Sequence, residues 1–335
     1  MKKRLLRAAM ILMTVILLPF SAAVTEGTIL PPSPEPPAAN GAGRPTPAPT
    51  ALPEVILIDH VNLPDEYPDF EFRKDRKLLD IWIPNIKDAD MAVLAYDGQI
   101  WMLDCGDVKS ARRGVKMLQQ LGITKIDTLL NSHMHHDHID GLTLVNEAAK
   151  VGEIRICFPP DLTQSGLLMI QAAEEHGIPV KEYKDGDRFA LGDGAVEMQI
   201  LKNNEEELDI NNQSAVTKIT YGKRSILFTA DLEWLGQEAM IKRLGDDAGV
   251  LKSDILKYPH HGKTALEEEF LRAVNPEAAI ITNKTVADWG GVRYLAAKGI
   301  PYIYTNQTGV YLHLVTDGEH WIAEQVPQDR VGKIR

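Results

Sequence analysis

Ser132-His133-Met134-His135-His136-Asp137-His138-Ile139-Asp140-Gly141 is the run on which the reading of this chain turns. It follows an apolar strand expected over Asp127 to Leu130 and precedes a helix expected from about Leu142 to Lys150. Imidazoles two residues apart on an extended strand end point the same way, and a carboxylate and an imidazole one turn further on reach back toward them. His133, His135, Asp137 and His138 therefore converge without long-range help. Mixed imidazole and carboxylate donors suit zinc, manganese or iron better than calcium or magnesium, which prefer oxygen alone. The bland alternatives are a surface histidine cluster or an affinity tag, and a tag is hard to reconcile with Asp137 and with the strand before it. Of the ten histidines, four lie in this run and two more, His260 and His261, form a second cluster far downstream.

Working outward, the chain alternates short apolar runs with turn dipeptides. Asp97-Gly98 between two apolar runs is a tight hairpin signal. Val115, Leu118, Leu121 and Ile123 mark an amphipathic helix over roughly 109–121, closed by Gly122. Helices are expected over about Leu162 to His176 and over 233–244. Hairpins are expected over 188–201, over 214–230 with Gly222-Lys223 at the turn, and over 311–325. Strands and helices interleave twice, and each half has hairpins as well as crossovers. The expected class is α/β, with two mixed sheets stacked and helices on the outer faces, rather than a parallel barrel.

The spacing His133-x-His135-x-Asp137-His138 resembles the signature of the metallo-beta-lactamase superfamily, which implies an αββα sandwich holding one or two metals at the sheet edge. Asp104, in Met102-Leu103-Asp104-Cys105-Gly106, matches that family's first motif, whose carboxylate supports a ligand histidine from behind. Asp231, after Leu227-Phe228-Thr229-Ala230, resembles the aspartate that bridges two metals, and Lys257-Tyr258-Pro259-His260-His261-Gly262 resembles the late histidine motif. The double histidine, Asn211-Asn212-Gln213-Ser214 and Thr229-Ala230-Asp231-Leu232-Glu233 look most like one branch. That branch contains the metallo-hydrolase domain at the C-terminus of the competence DNA-uptake channel ComEC, together with free-standing secreted hydrolases. The resemblance covers roughly Leu78 to Val315 and does not explain residues 54–77.

The resemblance implies a first site from His133, His135 and one of His260 or His261, and a second from Asp137, His138 and Asp231. Spacing does not choose within the 260/261 pair. One or two ions, zinc first and manganese or iron next, would lower the pKa of a bound water and polarise the scissile bond. Asp137 and Asp231 are the catalytic candidates, Asp137 as proton shuttle when one metal is present. Lys257 and Thr264 flank the late motif and are candidate contacts for an anionic substrate; otherwise they are a solvated lysine and a helix N-cap. Asn212, with Asn211 and Ser214, lines the mouth or serves a turn. Cys105 is a metal neighbour or a small buried residue, and a disulfide to Cys157 stays open. Three departures stand out: Ile83 to Asp90 replaces a glycine-rich aspartate motif, only His176 lies between the first motif and Asp231, and Asn283 to Trp289 replaces a last histidine. His176, near an expected helix end, is not read as a ligand.

Residues 1–23 carry four basic and no acidic side chains, then the apolar run Ala8 to Phe20 and Ser21-Ala22-Ala23. This is the layout of a secretory signal with a small-residue cleavage site, and the 13-residue apolar run falls short of a stable membrane span. Residues 24–53 hold nine prolines and read as an extended disordered linker, so the hydrolase domain is expected over 54–335, secreted or at the cell surface. Removing the four leading basic residues from the formal charge of −11 leaves −15. Such a chain makes long nucleic acid a poor partner. The expected activity is metal-dependent hydrolysis of a phosphodiester or other ester, small or wall-associated, with no protein partner. A lactonase or beta-lactam-type amide hydrolase, and a non-catalytic binding protein retaining a structural metal, fit the same residues.

Overall fold

The first half of the chain forms β1 (Val55–Ile58), β2 (Leu79–Pro84), β3 (Ala92–Tyr96), β4 (Gln99–Leu103), α1 (Val108–Leu121), β5 (Lys125–Ile126) and β6 (Thr128–Leu130). It continues through α2 (His136–Ile139), α3 (Leu142–Ala148), β7 (Lys150–Val151), β8 (Ile154–Ile156), α4 (Gln164–His176) and β9 (Val180–Glu182). The second half forms β10 (Arg188–Leu191), β11 (Val196–Leu201), β12 (Val216–Tyr221), β13 (Arg224–Phe228), α5 (Trp234–Leu244) and β14 (Ile255–Lys257). It ends with α6 (Glu268–Val274), β15 (Ala278–Ile281), α7 (Gly290–Lys298), β16 (Tyr302–Tyr304), β17 (Tyr311–Thr316) and β18 (Trp321–Val326). This computed structural model describes residues 55–58, 72, 74–205, 207–283, 290–305 and 309–328. The expected signal segment (1–23) and linker (24–53) lie outside the described residues.

A nine-stranded sheet runs β1-β18-β17-β2-β3-β4-β6-β8-β9, and a seven-stranded sheet runs β10-β11-β12-β13-β14-β15-β16. Each is antiparallel in one part and parallel in another: β4, β6, β8 and β9 run parallel, as do β13, β14, β15 and β16. Period-two burial explains the stacking. Leu79, Ile81 and Ile83 of β2 turn inward with Leu94, Leu312 and Leu314, and meet Met198, Ile200, Ile219 and Ile226 of the other sheet. On the outer face of the first sheet, Met102, Val93 and Leu129 pack under Met117 and Leu118 of α1 and Met169 of α4. On the outer face of the second, Leu227, Leu256 and Ile281 pack under Met240 of α5, Phe270 of α6 and Leu295 of α7. The result is an αββα sandwich.

Local chemistry sets the element ends. Asp97 and Gly98 both have positive φ (50° and 79°), as a tight hairpin with right-handed strand twist requires. Asp107 caps α1 by accepting from the Ser110 N–H at 2.5 Å, and Gly122 closes it in the left-handed region. The helix expected from Leu162 begins instead at Gln164. Pro160–Leu162 forms a 3-10 turn, and Thr163 accepts from the Gly166 N–H at 2.9 Å while donating to the Met134 carbonyl at 2.6 Å. Val55–Ile58, in the stretch that the family resemblance leaves unexplained, pairs in parallel with β18.

Gly141 closes the histidine run at a close approach between backbones: a Cβ there would collide with the Cys105 carbonyl oxygen and crowd the Ala111 side chain. Its N–H donates to the Gly106 carbonyl at 2.9 Å, tying the loop after β4 to the start of α3. Gly141→Ala is expected to destabilise the fold by about 1–3 kcal/mol through overpacking. Urea unfolding should show a lower midpoint with an unchanged slope.

Candidate metal centre

Parallel strands in both sheets bring the histidine clusters to one edge of the sandwich. Asp104 follows β4, its neighbour Asn131-Ser132-His133 follows β6, Asp231 follows β13, and His260-His261 follows β14. Asp104 organises the first loop. One carboxylate oxygen accepts from the Ser132 N–H at 2.7 Å and the Asn131 amide at 3.2 Å. The other accepts from the Ser132 hydroxyl at 2.6 Å and lies 2.7 Å from His138 Nδ1. His136, Asp137 and His138 ride on the single turn of α2, whose first residue, His136, is exposed.

The late pair is held by an unusual backbone. Both His260 (φ 45°) and His261 (φ 54°) adopt the left-handed region, and so does Ala230 (φ 45°) before Asp231. Such residues are strained unless their surroundings fix them, and strain of this kind collects at functional sites. The His260 N–H donates to the Ala230 carbonyl at 2.9 Å, which couples the two strained turns.

Every histidine that faces the centre, apart from His135, has its Nδ1 occupied by an oxygen. His133 Nδ1 lies 3.1 Å from Ser132 Oγ, and His260 Nδ1 lies 2.6 Å from a Glu233 carboxylate oxygen. His261 Nδ1 lies 3.0 Å from Thr282 Oγ1 and 3.2 Å from Asp90 Oδ1. This leaves Nε2 of each ring directed at Asp231, which is the arrangement that orients imidazole for a metal. His138 and His261 stand 3.3 and 3.4 Å from Asp231 Oδ1. His260 and His133 stand 3.6 and 4.0 Å from Asp231 Oδ2. His135 is beside His133, with 3.2 Å between Nδ1 and Nε2. Asp137 joins the Oδ1 side, 3.4 Å from His261 Nε2.

Burial makes this geometry electrostatically tense. Desolvation and the neighbouring His138 push His133 down. Burial also works against charge on His138 and His261, but Asp231 with Asp104, and Asp231 with Asp90, outweigh it; His138 is raised well above its ordinary value and His261 to about 10. Burial alone would push the Asp231 carboxyl up, yet His261 and His138 hold it well below the usual range. Three buried atoms, His138 Nε2, His261 Nε2 and Asp231 Oδ1, nevertheless lack a hydrogen-bond partner and face one another. Asp137, His138, Asp231 and His261 offer donor atoms all within 4.8 Å of each other. A divalent cation fits this donor set.

Several expected site residues sit elsewhere. Lys257 is neither a substrate contact nor solvated: it is buried (1% exposed) and ion-paired to Asp90. Asn212 is buried rather than at a mouth, because its side chain accepts from the Gly236 N–H at 2.6 Å and anchors the start of α5. Thr264 places its hydroxyl 3.3 Å from the Ala265 carbonyl, and the cap of α6 is Glu267. Asn211 donates weakly to Glu233 at 3.4 Å, and Ser214 is buried. Cys105 and Cys157 are free thiols. Burial pushes both up, Cys157 to about 12, so neither offers a thiolate. His176 is exposed at the end of α4. Asp90 and Glu233 were not singled out by sequence reasoning; their signals are an acid directly before the apolar run of β3 and an acid two residues after Asp231.

The pKa directions give the metal-free protein a specific pH response. His138 and His261 are raised above the ordinary 6.5, so the stability their charged forms contribute is complete below about pH 6.5 and is lost as pH climbs above it, for His261 toward about 10. In chelator, Tm should fall across that interval. With saturating zinc the fall should be largely abolished, since the cation replaces the protons; an equal slope in both conditions would count against a shared metal and proton site.

The sequence profile of the metallo-beta-lactamase superfamily matches residues 89–282. The chain is 29% identical over 172 residues to ComE operon protein 3 of Bacillus subtilis (strain 168), a match covering 50% of this chain and 21% of that protein. It is 28% identical over 185 residues to Competence protein ComA of Neisseria gonorrhoeae, covering 54% and 24% respectively. The chain thus spans less than a quarter of the length of these relatives. Among solved structures, a putative metal-dependent hydrolase from Parabacteroides distasonis aligns with a TM-score of 0.45 at 16% identity, over 71% of this chain and 97% of that one. The profile match takes in both histidine clusters, Asp104 and Asp231, and by it the chain belongs to the metallo-beta-lactamase superfamily.

Proposed function

We propose that this protein is an exported metal-dependent hydrolase of phosphodiesters or related small esters, working with one or two divalent ions, zinc first, on either side of Asp231. The observation that carries this reading is the convergence of His138 Nε2, His261 Nε2 and Asp231 Oδ1, all buried and without hydrogen-bond partners. His133, His135 and His260 would hold a cation on the Oδ2 side, and Asp137, His138 and His261 one on the Oδ1 side. A bound divalent ion supplies an acidified water and polarises the scissile oxygen.

The chain's own groups do the rest. Asp104, Glu233, Asp90 and Ser132 fix the imidazole rings through Nδ1, so Nε2 needs no reorganisation. Asp137, with its side chain 13% exposed, is the cluster carboxylate nearest solvent and can take a proton at Oδ2 and return it to a leaving group. His260, 19% exposed, marks the open side of the centre. The layout of residues 1–23 supports export and that of 24–53 a spacer. No helix among the described residues is long and apolar enough to cross a membrane. The charge of −15 left after removal of the first 23 residues favours small esters over long DNA.

Elemental analysis of untagged protein purified without chelator should find between one and two zinc or manganese ions per chain, and turnover of bis(p-nitrophenyl) phosphate should vanish with chelator and return with metal. Asp231→Ala is expected to lower turnover at least ~100-fold, because an interaction made by both cation positions is lost. Asp137→Ala should keep the cation on the Oδ2 side and lose turnover. A protein that binds metal normally yet hydrolyses no phosphodiester, carboxylic ester or lactone would belong to the non-catalytic class.

A further inference from the structure

Behind the histidines lies a buried ion pair that joins the two sheets. Lys257 ends β14 in the seven-stranded sheet, and Asp90 lies between β2 and β3 of the nine-stranded sheet. Their side chains are 2% and 10% exposed. Lys257 Nζ donates to Asp90 Oδ2 and, at 3.0 Å, to the Ala230 carbonyl. Asp90 Oδ1 accepts from Thr282 Oγ1 at 2.8 Å and lies 3.2 Å from His261 Nδ1. The Asp90 N–H donates to the Asp137 carbonyl at 3.2 Å. One pair therefore touches three of the four residues whose donor atoms cluster: Asp137 through its backbone, His261 through its ring, and Asp231 through the carbonyl before it.

Stability alone gives a poor account of this pair. Removing two charges from water costs several kcal/mol each, and well-packed apolar residues commonly replace such a pair without loss. The pair also lines a small cavity of about 30 Å³ whose other walls are mostly apolar, Ile83, Leu103, Leu130 and Phe228 among them, with Thr282 the wall residue that bonds Asp90. What the pair does achieve is geometric. Ala230 and His261 both hold positive φ without being glycine, and each turn is tied down by one member of the pair.

We propose that Asp90 and Lys257 form a positioning clamp across the sheets, fixing His261 and Asp231 in the geometry that holds the cation on the Oδ1 side. This rests on the metal-centre reading above. It gives Lys257 a role away from substrate. It also gives Asp90 a place in the site although the glycines expected before it are absent.

The test uses the full chain, stripped of metal and titrated calorimetrically with zinc and with manganese, beside urea unfolding in chelator. The variants are Asp90→Asn, Lys257→Met, Lys257→Arg and the double variant Asp90→Asn/Lys257→Met. Lys257→Met should be the least stable, since it leaves a buried carboxylate unpaired, and the double variant should recover most of the metal-free stability. Metal affinity should not recover with it. The Oδ1-side binding step is expected to stay ~10- to 100-fold weaker in both Asp90→Asn and the double variant, with the other step within about threefold of wild type. Lys257→Arg, which keeps the cation, should lose less affinity than Lys257→Met. Wild-type affinity for both steps in the double variant, or in Asp90→Asn should the double variant not fold, would overturn the clamp while leaving the metal centre intact. Wild-type protein that takes up neither metal would instead overturn the metal-centre reading and the clamp with it.

Discussion

The structure is organised around one carboxylate, Asp231, buried to 1% exposure with imidazoles from two distant segments aimed at its separate oxygens. An isolated carboxylate at that depth would be heavily penalised. Here His138 and His261 answer one oxygen, and His133 and His260 the other. Each imidazole then needs an oxygen at its far nitrogen. Asp104, Asp90, Glu233 and Ser132 are the result. The polar network radiates from Asp231 outward, and each layer is required by the one inside it.

The sandwich supplies that network cheaply because of where its strands end. β4 and β6 in one sheet, and β13, β14 and β15 in the other, are parallel neighbours, so their C-terminal ends open on one edge. Asp104, the histidine run, Asp231, His260-His261 and Thr282 all follow those ends directly. Apolar side chains between the sheets hold the two edges in register, and only short loops are left to specify. The left-handed residues Asp104, Ala230, His260 and His261 are found in those loops, where the chain turns sharply enough to present a side chain back over the edge. Local strain and site geometry are here the same feature.

Legibility in the sequence followed contact distance. The histidine run could be read because its donors lie within six residues, and the hairpin at Asp97-Gly98 because its turn chemistry is local. Lys257 was misread as a substrate contact because the group that buries it, Asp90, is 167 residues away. Of the two readings of Asn212, the turn holds through Asp209 three residues back, while its long-range anchor, the N–H of Gly236 24 residues on, was out of reach. Spacing could not choose between His260 and His261. In the structure the question dissolves: two successive left-handed residues send one ring to each side of Asp231. Asp90 was masked by the absence of the glycines expected before it, though its role depends on its carboxylate and its N–H rather than on them.

The same charges that make the centre hospitable to cations bear on the proposed substrate class. With a Debye length of about 8 Å at physiological ionic strength, a small ester in the cleft feels the groups of the centre and little else. There the carboxylates of Asp137 and Asp231 are balanced by whatever cations the histidines hold. A long polyanion would cross many Debye lengths of surface and would meet the excess acidic charge of the chain as a whole, without the released counterions that normally drive such binding. A polyanion could be accommodated only by a continuous basic track leading to the centre. Many of the described basic side chains are engaged by carboxylates, among them Lys77 with Asp97 and Asp193, Arg155 and Lys181 with Glu153, and Arg243 with Asp185. Neutralised in this way they leave the field of the chain acidic, which weights the proposed chemistry toward a single ester group presented on a small or already tethered molecule.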